Sequence, residues 1–280
     1  MRSPLGLALA GLLLLSVARC STFSGDEASN ADADAGATAD ATSEAGSAAD
    51  GAVAEESGTT RSRFCAGADA SFCDDFDDPG RVVPHAGWAE VDGGSLLALD
   101  DTLARSAPHA LTLKSPAIPI GTRLRSVLVI DVPASDPLPK SITVAFDMNV
   151  SLIAATQNGY LMPLRLHFTG TDTAVGFTIK GTGSGYLESR PFDDAGAYAS
   201  SQFGGGPPLS PSTWQHVVFV LDRESRAMTL TFDGQGGSRF LLAETTLGGP
   251  VRVELGAPLL VGDATQWKVS FDNVTLDVVR

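Results

Sequence analysis

The segment Trp214–Gln235, WQHVVFVLDRESRAMTLTFDGQ, constrains this chain more than any other, because it fits two β-strands joined by a tight hairpin. Trp214–Asp222 and Ala227–Phe232 are rich in β-branched and aromatic residues, and polar Arg223-Glu224-Ser225 separates them. Along the first strand Trp214, His216, Val218 and Val220 share one face, while Gln215, Val217, Phe219 and Leu221 share the other. Both faces are mostly apolar, which predicts a mid-sheet strand covered on both sides.

Similar runs recur with turn signals between them: Arg123–Val132, Lys140–Val150, Tyr160–Phe168, Ala174–Lys180, Gly185–Arg190, Arg239–Thr245, Val251–Leu255, Leu259–Gly262 and Trp267–Val279. Outside the first twenty residues no window keeps helical apolar spacing. About a dozen short strands without helices imply an all-β fold, two packed antiparallel sheets. About 220 residues can bury about 70% of their extended surface, enough for one domain over residues 63–280.

The N-terminal part reads differently. Arg2 followed by the apolar run Leu5–Ala18 has the form of an export signal over residues 1–20, too short for a bilayer span of about 20 residues. Val17-Ala18-Arg19-Cys20 resembles a bacterial lipoprotein signal, in which Cys20 is lipidated; Arg19 departs from the small residue usual there. Ordinary cleavage after Ala18 is the alternative. Residues 21–62 are mostly Ala, Asp, Ser, Gly, Thr and Glu with almost no large apolar side chain, and hold nine acids and no Lys or Arg between 20 and 60. Such a stretch cannot bury enough surface to fold and reads as a disordered spacer extended by its own charge. The remainder, residues 61–280, holds 24 acids against 17 basic residues. That balance argues against nucleic-acid binding and against docking on anionic lipid, which leaves the lipid anchor as the one membrane contact.

Apart from Cys20 the chain has one cysteine pair, Cys65 and Cys73. In an exported protein this spacing points to a disulfide, worth about 2.5 kcal/mol for so short a loop. Zinc is the rival, but no His or further Cys lies nearby to complete four ligands.

The segment Asp74-Asp75-Phe76, then Gly87-Trp88, the Ser106–Leu113 strand SAPHALTL, the strand beginning at Trp214 with the Asp233-Gly234 turn after its partner, and the terminal Phe271-Asp272-Asn273-Val274 together resemble the concanavalin A-like jelly rolls: laminin-G-type domains, legume-lectin-like domains, family 16 glucanases and carbohydrate-binding modules. The resemblance covers about Cys65–Arg280 and implies a two-sheet antiparallel jelly-roll sandwich. It is far less specific for function. It also implies a structural calcium held by Asp272 with Asp75 or Asp77, with carbonyls and water completing six to eight oxygens. The bland alternative is solvated turn acids. In the last strand Val269 and Phe271 share one face, whereas Val274, Leu276 and Val278 share the other; either the two sets pack on different layers or a bulge at Asp272-Asn273 shifts the register.

The chemistry of the glucanase members is missing. Their E-x-D-x-x-E pattern is approached only by Glu90-Val91-Asp92-Gly93-Gly94-Ser95, where Ser95 stands in place of the second Glu. No G-x-S-x-G occurs, and Gly181–Gly185 and Gly204–Gly206 read as loops rather than phosphate cradles. The four histidines are far apart in sequence. The expectation is a non-catalytic protein. Trp88, Trp214 and Trp267 read as packing residues. Tyr160, Tyr186 and Tyr198, with Gln202, are the binding candidates, the last two in the unpatterned stretch Pro191–Pro211. The partner implied is a glycan or matrix component. An adhesive envelope protein that engages another protein, or a divergent polysaccharide hydrolase or lyase, are the alternatives.

Overall fold

Alternation decides the architecture, since a strand that buries every second side chain needs a second layer to bury them against. The structure, a computed structural model, describes residues 64–77, 89–91, 96–133, 137–152, 159–170, 173–181, 183–191, 201–242, 249–262 and 266–280. The signal and spacer over residues 1–62, with Cys20, lie outside the described residues, as do Trp88 and Tyr198. The described strands are β1 (Phe72–Asp74), β2 (Ala89–Val91), β3 (Leu97–Asp100), β4 (Ala110–Lys114), β5 (Arg123–Val132), β6 (Ser141–Leu152), β7 (Tyr160–Phe168) and β8 (Thr173–Lys180). They continue as β9 (Ser184–Pro191), β10 (Ser201–Pro208), β11 (Trp214–Asp222), β12 (Ala227–Phe232), β13 (Gln235–Leu241), β14 (Val251–Val261) and β15 (Lys268–Val279). Helical structure among these residues is limited to a 3-10 turn, Cys65–Gly67.

Two antiparallel sheets form. The eight-stranded sheet runs β13-β12-β11-β6-β15-β4-β3, with β1 also paired to β15. The seven-stranded sheet runs β10-β9-β8-β7-β14-β5-β2. Val217, Phe219 and Leu221 of β11 meet Leu164, Leu166, Phe177 and Val253 in one apolar core. At its centre the Phe177 ring, from the seven-stranded sheet, lies 6.3 Å from Phe146 and 6.0 Å from Phe232, both of the eight-stranded sheet. The terminal segments meet: β1 is antiparallel to β15, with Cys73 opposite Thr275, and Cys65 and Cys73 are disulfide-bonded.

The hairpin and the bulge appear as the residues dictate. Asp222 caps the β11–β12 turn by accepting the Glu224 and Ser225 N–H groups, at 2.8 and 3.1 Å. Asp233 and Gly234, with φ of 52° and 71°, make the primed turn that a D-G pair favours. In β15 the register shifts between Asp272 and Thr275, and Asn273 takes a left-handed φ of 52°. This bulge lets Val269 and Phe271 share a core with Val274 and Leu276.

Other expectations need correction. Val251–Leu255 and Leu259–Gly262 are one strand, β14, because Gly256 at φ 119° carries the chain through a bulge where a Cβ would stand 2.9 Å from the Ser126 carbonyl oxygen. Gly204–Gly206 lie in a strand, not a loop: β10 is the edge of its sheet, and pairing with β9 overrides poor strand propensity through two register shifts. β11 is indeed mid-sheet, but its Trp214 face is not covered: His216 is exposed and Val218 and Val220 are only partly buried.

Candidate functional site

Three groups of polar residues stand out. The first lies at the β15 bulge, where the neighbour of β15 changes from β4 to β1. The segment leading into β4 fills the gap. Asp272 is fully buried and accepts the Arg105 and Ser106 N–H groups on Oδ2, at 2.7 and 2.9 Å, and the Asn273 N–H on Oδ1 at 2.8 Å. Asp77 accepts the His109 N–H at 3.1 Å, and Asp75 accepts the Cys65 and Asp77 N–H groups at 3.4 Å. Asp75, Asp77 and Asp272 therefore sit in one part of the fold, each bound to backbone donors. Among the described residues no three His, Cys, Asp or Glu side chains converge on a point that could hold a metal ion.

Proton bookkeeping fixes the state of this junction. Ser106 Oγ lies 3.0 Å from Asp272 Oδ1 and 2.9 Å from Asn273 Oδ1, and it has one proton for two acceptors. A protonated Asp272 resolves the conflict by donating to Ser106, which then donates to Asn273. Burial pushes the Asp272 carboxyl up to about 7, against the pull of its hydrogen bonds. Between its unfolded value of 3.8 and about 7 the native state thus holds a proton that the unfolded chain has released. The stability from this group is complete below 3.8 and is lost as pH rises through 7. Asp272→Asn is expected to flatten the fall in thermal midpoint across that window; an equally steep fall in the variant would refute the assignment.

The second group continues the row across β6 and β11. Asn273 Nδ2 donates to Asp147 Oδ2 at 2.8 Å, and Asp147 Oδ1 lies 2.9 Å from His216 Nδ1. The hydrogen bond to Asp147 raises the His216 pKa; burial would raise that of Asp147, but hydrogen bonds from His216 and Asn273 bring it below its usual value. His216 thus has the partner that sequence inspection could not locate.

The third group is on the outer face of the seven-stranded sheet and includes two of the tyrosine binding candidates. Tyr160 of β7 is directly opposite Lys180 of β8, and Tyr186 of β9 is opposite Thr178. The Lys180 Nζ stands 4.8 Å from the Tyr186 ring centroid. Tyr160 packs on Met162, Leu259 and Val261, a small apolar cluster separate from the main core. Thr178 is fully buried, and its hydroxyl has no hydrogen-bond partner among the described residues. Gln202 lies in β10 opposite Glu188. Tyr160 and Tyr186 are thus brought together, and Tyr198 lies outside the described residues.

The same face carries a charged knot that sequence inspection did not single out. Glu254 is fully buried; its Oε2 takes the Arg165 Nε at 2.7 Å and its Oε1 the Arg125 Nη2 at 3.0 Å. The available signal was two charges, Arg252 and Glu254, at outward positions of VRVELGAPLLV; the register with Arg165 of β7 comes from the folded sheet. Farther along, Arg252 pairs with Asp131 at 2.8 Å.

No protein-family model matches the sequence, and no curated protein matches it. Solved structures do match in shape. The GH16 protein of the Bacteroides ovatus mixed linkage glucan PUL, in complex with its G4G4G3G product, aligns with a TM-score of 0.51 at 9% identity over 73% of this chain and 99% of its own. The CBM2 module of the evolved Dit of Lactobacillus casei BL23 phage J-1 aligns at 0.50 and 9% identity, over 74% and 94%. A sialidase aligns at 0.48 and 13% identity over 74% of this chain, which spans only 18% of the sialidase's length. The chain has the two-sheet antiparallel jelly-roll fold. At such identities the likeness establishes the fold alone.

Proposed function

We propose that the protein is an exported carbohydrate-binding sandwich that holds a glycan on the outer face of its seven-stranded sheet. The observation that carries this reading is the convergence of Tyr160, Lys180 and Tyr186 from three adjacent strands, beside a buried Thr178 hydroxyl without a partner. Tyrosine offers a sugar ring an apolar body with a polar tip. The shared fold of the glucanase and the carbohydrate-binding module supports the class of ligand. Binding without hydrolysis is part of this proposal; Glu254 and Asp131 on this face are each engaged by arginine. A retaining or inverting hydrolase needs two carboxyls aimed at one bond.

Tyr160→Ala and Tyr186→Ala are each expected to weaken binding to the recognised polysaccharide about tenfold, near 1.4 kcal/mol, in gel retardation or calorimetry. Full binding by the folded double variant would overturn the reading, and reducing-sugar release by the wild type would convert it to an enzyme. Export belongs to the same proposal. Cys20 is the lipidated residue and residues 21–62 are the tether, so labelling with an alkynyl fatty acid is expected in the wild type and lost in Cys20→Ser. Label retained by that variant removes the anchor. Among the described residues no helix is long and apolar enough to cross a membrane.

A further inference from the structure

The outer face of the eight-stranded sheet holds a second constellation, independent of the tyrosines. Register sets Trp214 of β11 opposite Asn149 of β6, and His216 opposite Asp147. These four side chains share the face turned away from the core: Val217, Phe219 and Leu221 of β11 and Phe146, Met148 and Val150 of β6 occupy the other. Neighbouring strands stand about 4.8 Å apart and residues two apart on a strand about 6.8 Å, so the four mark the corners of a patch the size of one sugar ring.

The hydrogen bonds at these corners are unevenly used. Asn149 is only 1% exposed. Its Oδ1 accepts the Ser151 hydroxyl at 2.8 Å, and its amide nitrogen makes no hydrogen bond among the described residues. Those N–H groups are free to donate to a ligand oxygen. His216 is held by Asp147 through Nδ1, and Asp147 is held in turn by Asn273, so the ring orientation is fixed. The other ring nitrogen, Nε2, has no partner among the described residues, and the side chain is 48% exposed. A donor on Asn149 and the outward Nε2 of His216 therefore flank a half-buried indole.

Farther along β11 the same face opens into a hollow of about 280 Å³ lined by Val220, Asp222, Ser225, Ala227 and Thr229. Trp214 and Asp222 are eight residues apart, about 27 Å along an extended strand. The charges beside this strip are mostly negative. Asp147, Asp222 and Asp233 stand against Arg105, whose Nε is 4.0 Å from Asp147, and Asp233 Oδ1 accepts the His216 backbone N–H at 2.8 Å. An anionic chain is disfavoured there.

We infer that Trp214, Asn149 and His216 form a second carbohydrate subsite, for an uncharged polysaccharide lying along β11 toward the hollow. A sugar C–H face packs on the indole, one hydroxyl accepts from the Asn149 amide, and another hydrogen-bonds His216 Nε2.

The test uses the full chain carrying Tyr160→Ala and Tyr186→Ala, so that the other face is silenced and failure of one site is not mistaken for failure of the other. The probes are neutral hexasaccharides of β-1,4-glucan, β-1,3-glucan, xylan and mannan. At least one is expected to receive saturation transfer in NMR and to shift the Trp214 indole N–H resonance, assigned by its loss in Trp214→Phe. Asn149→Ala is expected to weaken that binding about tenfold while the thermal midpoint reports that the fold persists. Absence of transfer to all four probes overturns the inference. So does a hexasaccharide that binds without moving the Trp214 signal.

Discussion

Glu254→Ala is expected to lower stability by about 3–5 kcal/mol, because it leaves the Arg165 and Arg125 guanidiniums in place without the carboxylate between them. For a domain of this size that is a fall of about 10 °C in thermal midpoint. The pair is not thereby a stabilising device. Two charges brought out of water cost about as much as their attraction returns, so Glu254→Leu combined with Arg165→Met is expected to recover most of the loss. Denaturant unfolding of the three proteins checks this. A single variant within 1 kcal/mol of wild type, where 1 kcal/mol is about the error of one such comparison, would show that water reaches the knot. The same experiment bears on function: if the tyrosine face binds a glycan, the compensated double variant should keep that binding, since neither charge lies in the tyrosine row.

Phe177→Ala is expected to cost about 3–5 kcal/mol as well, by a different route. The ring is fully buried and is the contact through which the seven-stranded sheet meets Phe146 and Phe232 of the other layer. Its removal leaves a cavity between two sheets that cannot close on it, because each is held flat by hydrogen bonds to its neighbours. Phe177→Leu should cost clearly less. Equal losses for Ala and Leu in urea titrations would mean that ring shape, not filled volume, sets the effect.

How much of this was legible beforehand follows from the range over which each interaction acts. Strands β5 and β7 could be read to the residue from their β-branched runs and bounding turns. The β15 bulge could be read because two apolar sets of opposite parity occur in one strand. The primed turn at Asp233-Gly234 is local chemistry. β10 could not be read: Gly204–Gly206 carry no strand signal, and only β9 beside them makes them a strand. β2 and β3 are too short to show a period. At the sites the limit is sequence distance. His216 and Asp147 are 69 residues apart, and Arg165 and Glu254 are 89 apart. No pattern within a strand announces that they will pair. The acids Asp75, Asp77 and Asp272 lie in one part of the fold, but the backbone donors at residues 105, 106 and 109 depend on how the segment before β4 folds back.

The sulfur bridge has a mechanical consequence. A pull on the chain ahead of Cys65 bypasses residues 66–72 and arrives at Cys73. Cys73 is bonded into the sheet opposite Thr275, on the strand that is also zipped to β6 from Lys268 to Val279. Drag on the domain is therefore loaded first onto β1, a three-residue strand paired among the described strands to β15, and passes to the interior only through that pairing.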